Sequence, residues 1–152
     1  MADGRYFDRY HYRMADHVSE KKRSYIMSRV PSKNSRPEMA VRKALHERGL
    51  RYRLHRKDLP GTPDIVFPKQ QVAIFVHGCF WHGHDGCAKS RLPTTRREYW
   101  AAKIGRNRER DWQAIATLNR LGWETEVIWQ CEVKKTPRLI EFADTFVTRI
   151  KG

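Results

Sequence analysis

No stretch of the 152-residue chain approaches the roughly 20 consecutive apolar residues of a membrane span. No apolar run follows the basic N-terminus as a secretory leader would require. Cysteine is scarce. Cys79, Cys87 and Cys131 cannot close a disulfide framework, and a chain of this length does not need one, so a reducing cytosol is the expected compartment. Acid is scarce as well, with 17 Asp and Glu against 31 Lys and Arg, a formal charge of +14. Repeats and low-complexity tracts are missing, so nothing divides the chain into several units. What remains is globular: 39% hydrophobic and 11% aromatic residues, at a length that lets one domain bury about two thirds of its unfolded surface.

The basic excess is uneven. Residues 1–57 carry 16 Lys and Arg against 6 Asp and Glu, and residues 58–152 carry 15 against 11. Such a field attracts polyanions, of which nucleic acid is the commonest in a cytosol, although a ribosomal or merely soluble basic protein shares the composition. Residues 1–23 are polar, basic and aperiodic and read as a flexible arm that orders on a polyanion, ahead of a single domain over residues 24–152.

Ser35-Arg36-Pro37-Glu38 has capping-box spacing, and Val41, Ala44 and Leu45 follow at helical intervals up to Gly49, predicting a helix over about residues 36–48. Two short β-type runs come next, residues 51–55 and 64–67. A third, Val72 to Val76, is apolar throughout, as in a strand buried on both faces. Thr95-Arg96-Arg97-Glu98 is a second capping box, opening a helical region that ends near Gly122 and whose polar middle, residues 105–111, leaves room for a break. A fourth strand is expected over residues 126–129, and a last amphipathic helix after Thr136 and Pro137. The order predicts an α/β domain with one mixed central sheet flanked by helices.

Three signals carry chemistry. Cys79 and Cys87 bracket a polar loop containing His82 and His84, and Cys131 follows the fourth strand. Three thiolates and an imidazole make a closed structural zinc set, against the plainer reading of three buried thiols. Asp64 opens an apolar strand directly after Pro63, with Glu38, His77 and His82 as possible neighbours. A carboxylate at a strand mouth with carbonyl and water ligands suits Mg²⁺, and a histidine nearby can deprotonate water, although lone Asp and His residues are often surface or hydrogen-bonded groups. Phe80 and Trp81 are consecutive loop residues, and consecutive residues in a loop seldom both face the core. With Trp100 they lie in or beside a stretch, residues 89–110, that holds eight Lys and Arg, so they could stack on or wedge between bases. Trp100 also fits a core position, and Trp112, Trp123 and Trp129 are expected in the core.

Pro60-Gly61-Thr62-Pro63-Asp64, the run Val72 to Asp85, Arg97-Glu98-Tyr99-Trp100 and Ile128-Trp129-Gln130-Cys131-Glu132 together resemble the very short patch repair (Vsr) endonuclease family. The resemblance runs from about Lys22 to Lys134, with Arg23-Ser24 and Pro37-Glu38-Met39 in order. It implies a restriction-endonuclease-like fold and nicking of double-stranded DNA on the 5′ side of the thymine in a T·G mismatch. It further implies Asp64 as a Mg²⁺ ligand aided by the main-chain carbonyl of Val76, and Glu38 reaching the ion through water. His82 would be the general base and His77 a polar group near the phosphate. Cys79, His84, Cys87 and Cys131 would hold structural zinc, Phe80, Trp81 and Trp100 would form the wedge, and Met27 would enter from the minor groove. A monomer is implied, with other mismatch-repair proteins as candidate partners and no membrane association.

The chain departs from the pattern in three ways. The second acidic residue and lysine usual for the fold are absent from the third strand, where a carbonyl and histidines stand instead. Val76 stands where a threonine can occur in the family, a change that a main-chain ligand tolerates. Gly86 is an extra residue that places Cys87 one position later. Two rival functions remain open: a nuclease of the same fold acting on another mismatch or a defined site, and a zinc-stabilised basic protein that binds nucleic acid without cutting it.

Overall fold

A computed structural model describes residues 19–152. Residues 1–18, and the side chains of Glu20, Arg23, Ser24 and Met27, lie outside the described residues, so the expected arm falls there almost entirely, as does the side chain of Met27. The first described helix, α1 (Glu20–Ser28), spans the boundary expected near residue 23. α2 (Arg36–Glu47) starts as its capping residues predict: Ser35 Oγ accepts the Glu38 N–H at 3.4 Å, and Pro37 occupies the first turn, where a missing N–H costs nothing. Beyond its end, Gly49 takes φ +82.

The sheet contains β1 (Arg53–Leu54), β2 (Ile65–Phe67), β3 (Val72–His77) and β4 (Glu124–Trp129), in that spatial order. β1 pairs with β2 and β2 with β3 antiparallel, and β4 returns parallel to β3 in a register that pairs His77 with Trp129. A parallel return needs a crossover, which α3 (Arg97–Arg120) supplies. Short α4 (Gln130–Val133) and amphipathic α5 (Thr136–Lys151) follow. The alternation along β3 sorts the core. Val72 and Ile74 pack with Val41, Leu45 and Phe146 from α2 and α5, while Ala73 and Phe75 pack with Leu118 of α3 on the other face. The mixed sheet flanked by helices is as expected.

Four details differ from expectation. β1 is only two residues because His55 turns to φ +46 and leaves the strand. α3 is not opened by a capping box: Arg96 is its N-cap in a left-handed conformation, with no side-chain cap. Nor does α3 break at its polar middle. Asn107 Nδ2 donates to the Trp81 carbonyl at 2.9 Å, and Arg108 pairs with Asp85 at 3.0 Å, so these residues are polar because they grip the neighbouring loop. Trp112 is not in the core but 67% exposed, because Asp111 turns inward and the next residue lies 100° further round the helix, on its outer side.

Candidate active site

Asp64 is fixed by its backbone before its side chain is considered. Its N–H donates to Ile74 O at 3.0 Å, and its carbonyl accepts the His55 N–H at 3.1 Å. The preceding loop sits hard on α3: Gly61 has φ +73, and a Cβ there would lie 2.7 Å from the Ala114 Cβ, so only glycine fits. The carboxylate Oδ2 then accepts the Val76 N–H at 2.8 Å. A strand residue sends its N–H and C=O to the same side, so the Val76 carbonyl faces the same gap. Burial pushes the Asp64 carboxyl up to about 6, against the pull of the Val76 N–H; the Glu38 carboxylate adds to the rise, and His55 and His82 oppose it.

Glu38 on α2 is 2% exposed, yet fully engaged. Its Oε2 accepts the Asn34 N–H at 2.8 Å, and its Oε1 meets His55 Nε2 at 2.7 Å and Arg42 Nη1 at 3.4 Å. Asp64, Glu38 and His55 bring their ligand atoms within 4.8 Å of one another, a group able to hold a metal ion. Asp64, Glu38, Val76 and His82 line one cavity of about 400 Å³, together with Trp81, Lys103, Gln130 and the loop from Val30 to Ser35.

His82 Nδ1 lies 2.5 Å from Asp111 Oδ2. With that nitrogen committed to the carboxylate, Nε2 is left with the lone pair in the neutral ring. The His82 ring stacks on His77 at 3.9 Å and 3°. Burial, and then the neighbouring His82, push His77 down to about 4, so it stays neutral at physiological pH.

At the other end of the stack, Trp129 meets His77 edge-on at 5.3 Å and lies flat against His84 at 4.1 Å. His84 belongs to a second group. The ligand atoms of Cys79, His84, Cys87 and Cys131 lie within 4.8 Å of one another, and the set could bind a metal ion. Turn bonds shape the loop, with His84 N–H to Cys79 O at 2.9 Å and Cys87 N–H to His84 O at 3.3 Å. Gly86, at φ +71 in open space, absorbs the extra residue, so Cys87 still reaches the group. Burial raises the Cys79 thiol to about 12, so without a cation that sulfur remains protonated.

Phe80, Trp81 and Trp100 form one edge-to-face cluster, with ring centroids 5.2–6.1 Å apart. Phe80 and Trp100 are buried, and Trp81 lies half-buried at the rim, so the consecutive pair do not both enter the core. Lys103 Nζ stands over the rings of Trp81 and Trp100 at 5.4 and 5.6 Å.

Residues 15–89 match the family model described as DNA mismatch endonuclease Vsr. A type II nicking enzyme, V.XorIIP of Xanthomonas oryzae pv. oryzae, is 57% identical over 79% of this chain and 88% of its own length. The type II nicking enzyme V.NmeAIP of Neisseria meningitidis is 39% identical over 91% and 98%. The DNA mismatch endonuclease Vsr of Escherichia coli is 37% identical over 87% and 84%. The chain belongs to the Vsr endonuclease family. It is therefore an enzyme of the DNA endonuclease class.

Within this Vsr-family site, three participants escaped sequence reasoning: His55, Asp111 and Gln130. Asp111 had a usable signal, an acid among the basic residues of an otherwise amphipathic helix. His55 had none, because its position depends on a left-handed backbone that no local pattern announces. Gln130 lay inside a quoted motif but adjoins the cavity only because β4 runs parallel to β3.

Proposed function

We propose that this chain is a Mg²⁺-dependent, zinc-stabilised endonuclease of restriction-endonuclease-like architecture that nicks double-stranded DNA on the 5′ side of the thymine in a T·G mismatch. The observation that carries the reading is the pairing of His82 with Asp111 at a cavity that His82 shares with the largely buried Asp64. The Asp64 carboxylate and the Val76 carbonyl are oxygen donors suited to Mg²⁺, and Glu38 lies near enough to act through ion-bound water. Mg²⁺ bound there would neutralise charge on the phosphate and polarise its P–O bond.

The chain's own residues do the rest. His82 Nε2 takes a proton from the attacking water, and the Asp111 carboxylate holds the tautomer and balances the imidazolium that forms. The water oxygen bonds to phosphorus as the bond to the leaving sugar oxygen breaks. His77, neutral and stacked on His82, fixes the plane of the base and stands beside the phosphate.

Zinc suits the Cys79, His84, Cys87 and Cys131 set on donor type and on distance. A tetrahedral ion with sulfur at about 2.3 Å and nitrogen at about 2.05 Å spans a sulfur–nitrogen edge of about 3.5 Å. Cys131 Sγ and His84 Nδ1 lie 3.5 Å apart. Trp81 is the leading edge of the mismatch wedge, backed by Phe80 and Trp100, with Met27 entering from the minor groove and residues 1–23 ordering along the DNA. We take the protein to act as a monomer, in the cytoplasm and alongside other mismatch-repair proteins.

The test is a panel of end-labelled duplexes covering every mismatch, incubated with Mg²⁺ or with EDTA. A single Mg²⁺-dependent break 5′ to the thymine of T·G alone supports the proposal. A break elsewhere assigns a nuclease of different specificity, the direction in which relatives named as type II nicking enzymes would point. No break under any condition leaves only a binding protein.

A further inference from the structure

One buried polar atom in the active-site cavity has no protein partner, and a second polar group lies beside it. Trp81 Nε1 is, among the described residues, the buried side-chain polar atom that makes no hydrogen bond. Gln130, 2% exposed, presents its side chain to the same cavity. Buried donors and acceptors are almost always paired, so an idle donor lining a cavity calls for a ligand that completes it.

They also converge. The parallel register ends at the pair His77 and Trp129, so the next residues of the two segments, Gly78 and Gln130, leave the sheet side by side. A Cβ at Gly78 would lie 3.9 Å from Gln130 Oε1 and 3.5 Å from Trp81 Cδ1, the atom bonded to the idle Nε1. The missing side chain at Gly78 therefore leaves a gap flanked by both groups. Lys103 lines the same cavity and brings a positive charge, whereas Asp64 and Glu38 bring negative charge to it. One set of residues suits a cation, and the other suits the oxygens of an anion.

We propose that Gln130 is a further catalytic residue, its side-chain amide making a half-turn that brings Nε2 in place of Oε1 to the gap and donating to a non-bridging oxygen of the DNA phosphodiester held in this cavity, with Trp81 Nε1–H and Lys103 as companion donors. The assignment rests on reading the cavity as the nicking site. The amide is uncharged, so it holds phosphate oxygen without competing with Asp64 for the cation. It is also buried at the cavity wall before substrate arrives, so only its terminal torsion has to adjust.

The experiment has two arms. In the first, Gln130→Met, of similar length and without hydrogen-bonding groups, is compared with the wild-type protein on a T·G duplex under Mg²⁺. The scissile linkage carries phosphate or either single-sulfur phosphorothioate isomer. The expected result is a kcat lower by about 10²-fold, the usual loss for one preorganised donor, with KM within about threefold. One sulfur isomer should slow the wild-type protein yet add nothing to the variant. Equal nicking by the two proteins, or an equal sulfur penalty, overturns the assignment.

The second arm needs no variant and no turnover. The Gln130 side-chain N–H and Trp81 indole N–H resonances of ¹⁵N-labelled wild-type protein are followed as uncleaved T·G duplex is added in EDTA. Downfield shifts of both support the contact, and an unmoved Gln130 pair refutes it even if Gln130→Met fails to fold. A wild-type protein that breaks no duplex under Mg²⁺ condemns the nicking reading, while this second arm still judges the contact.

Discussion

Replacing Asp64 by asparagine should abolish nicking and, at neutral pH, make the protein more stable. The wild-type carboxyl titrates near 6 in the folded state because burial disfavours its charge, against an ordinary value of about 3.9 in the unfolded chain. A folded pKa raised in an acid means that protons bind the native state more tightly. Its stabilising effect is complete below about pH 4 and is lost as pH rises through 6. The roughly two-unit difference corresponds to about 3 kcal/mol of native-state penalty at pH 8. The asparagine side chain would carry no charge to bury, and its carbonyl can still accept the Val76 N–H that Asp64 now holds at 2.8 Å. The variant should therefore melt roughly 3–10 °C above the wild-type protein at pH 8 in EDTA, at about 2–4 °C per kcal/mol with some loss for imperfect replacement. The gap should close near pH 4.

His77 sharpens the test, because its depressed pKa of about 4 acts in the opposite sense. The neutral ring adds stability that is present above about pH 6.5 and is lost as pH falls towards 4. In the wild-type protein the two terms nearly cancel between pH 4 and 6.5, whereas Asp64→Asn should expose a stability that rises with pH. Added Mg²⁺ should raise the wild-type melting temperature and leave the variant unmoved. Thermal unfolding across pH 4–8 decides the matter. A variant less stable than the wild-type protein at pH 8, or a gap that does not widen with pH, refutes the claim that Asp64 is held charged at a cost until an ion arrives.

Asp111→Asn should lower kcat by about 10²–10⁴-fold with DNA affinity intact, because an amide can leave His82 in the wrong tautomer; single-turnover nicking checks this, and near-normal rates would remove the pair from the mechanism. Trp81→Ala should blur discrimination between mismatched and paired duplexes by about tenfold or more while weakening binding to paired DNA less; competition binding with the two duplexes reads it. Cys87→Ala should lower the zinc content measured by elemental analysis and the melting temperature together, and a variant that keeps both would show that Cys87 is not a ligand.

The parts of the fold that local chemistry specifies were legible in the sequence. Ser35 and Pro37 started α2 where they should, and the unbroken apolar run of β3 marked a strand covered on both faces. Misreadings arose where tertiary contacts overrode local pattern. The polar stretch of α3 resembled a break because its residues grip the loop of residues 78–85, and Trp112 resembled core because its exposure depends on which way Asp111 turns. In the site, Asp64 and the cysteines stood out as candidates because each is a distinctive residue type at or just beyond a strand end, and the structure gathers each into a group able to hold a metal ion. His55 and Gln130 did not stand out, because left-handed backbone and parallel register bring them in.

The central claim is that Asp64 holds a divalent ion against the scissile phosphate, within reach of His82. Anomalous diffraction from Mn²⁺ in crystals of the protein bound to a T·G duplex locates that ion directly. The account predicts a peak in contact with the Asp64 carboxylate, the Val76 carbonyl and a phosphate oxygen. A peak confined to the cysteine loop or the DNA, with Asp64 bare of metal beside a bound phosphate, would contradict it.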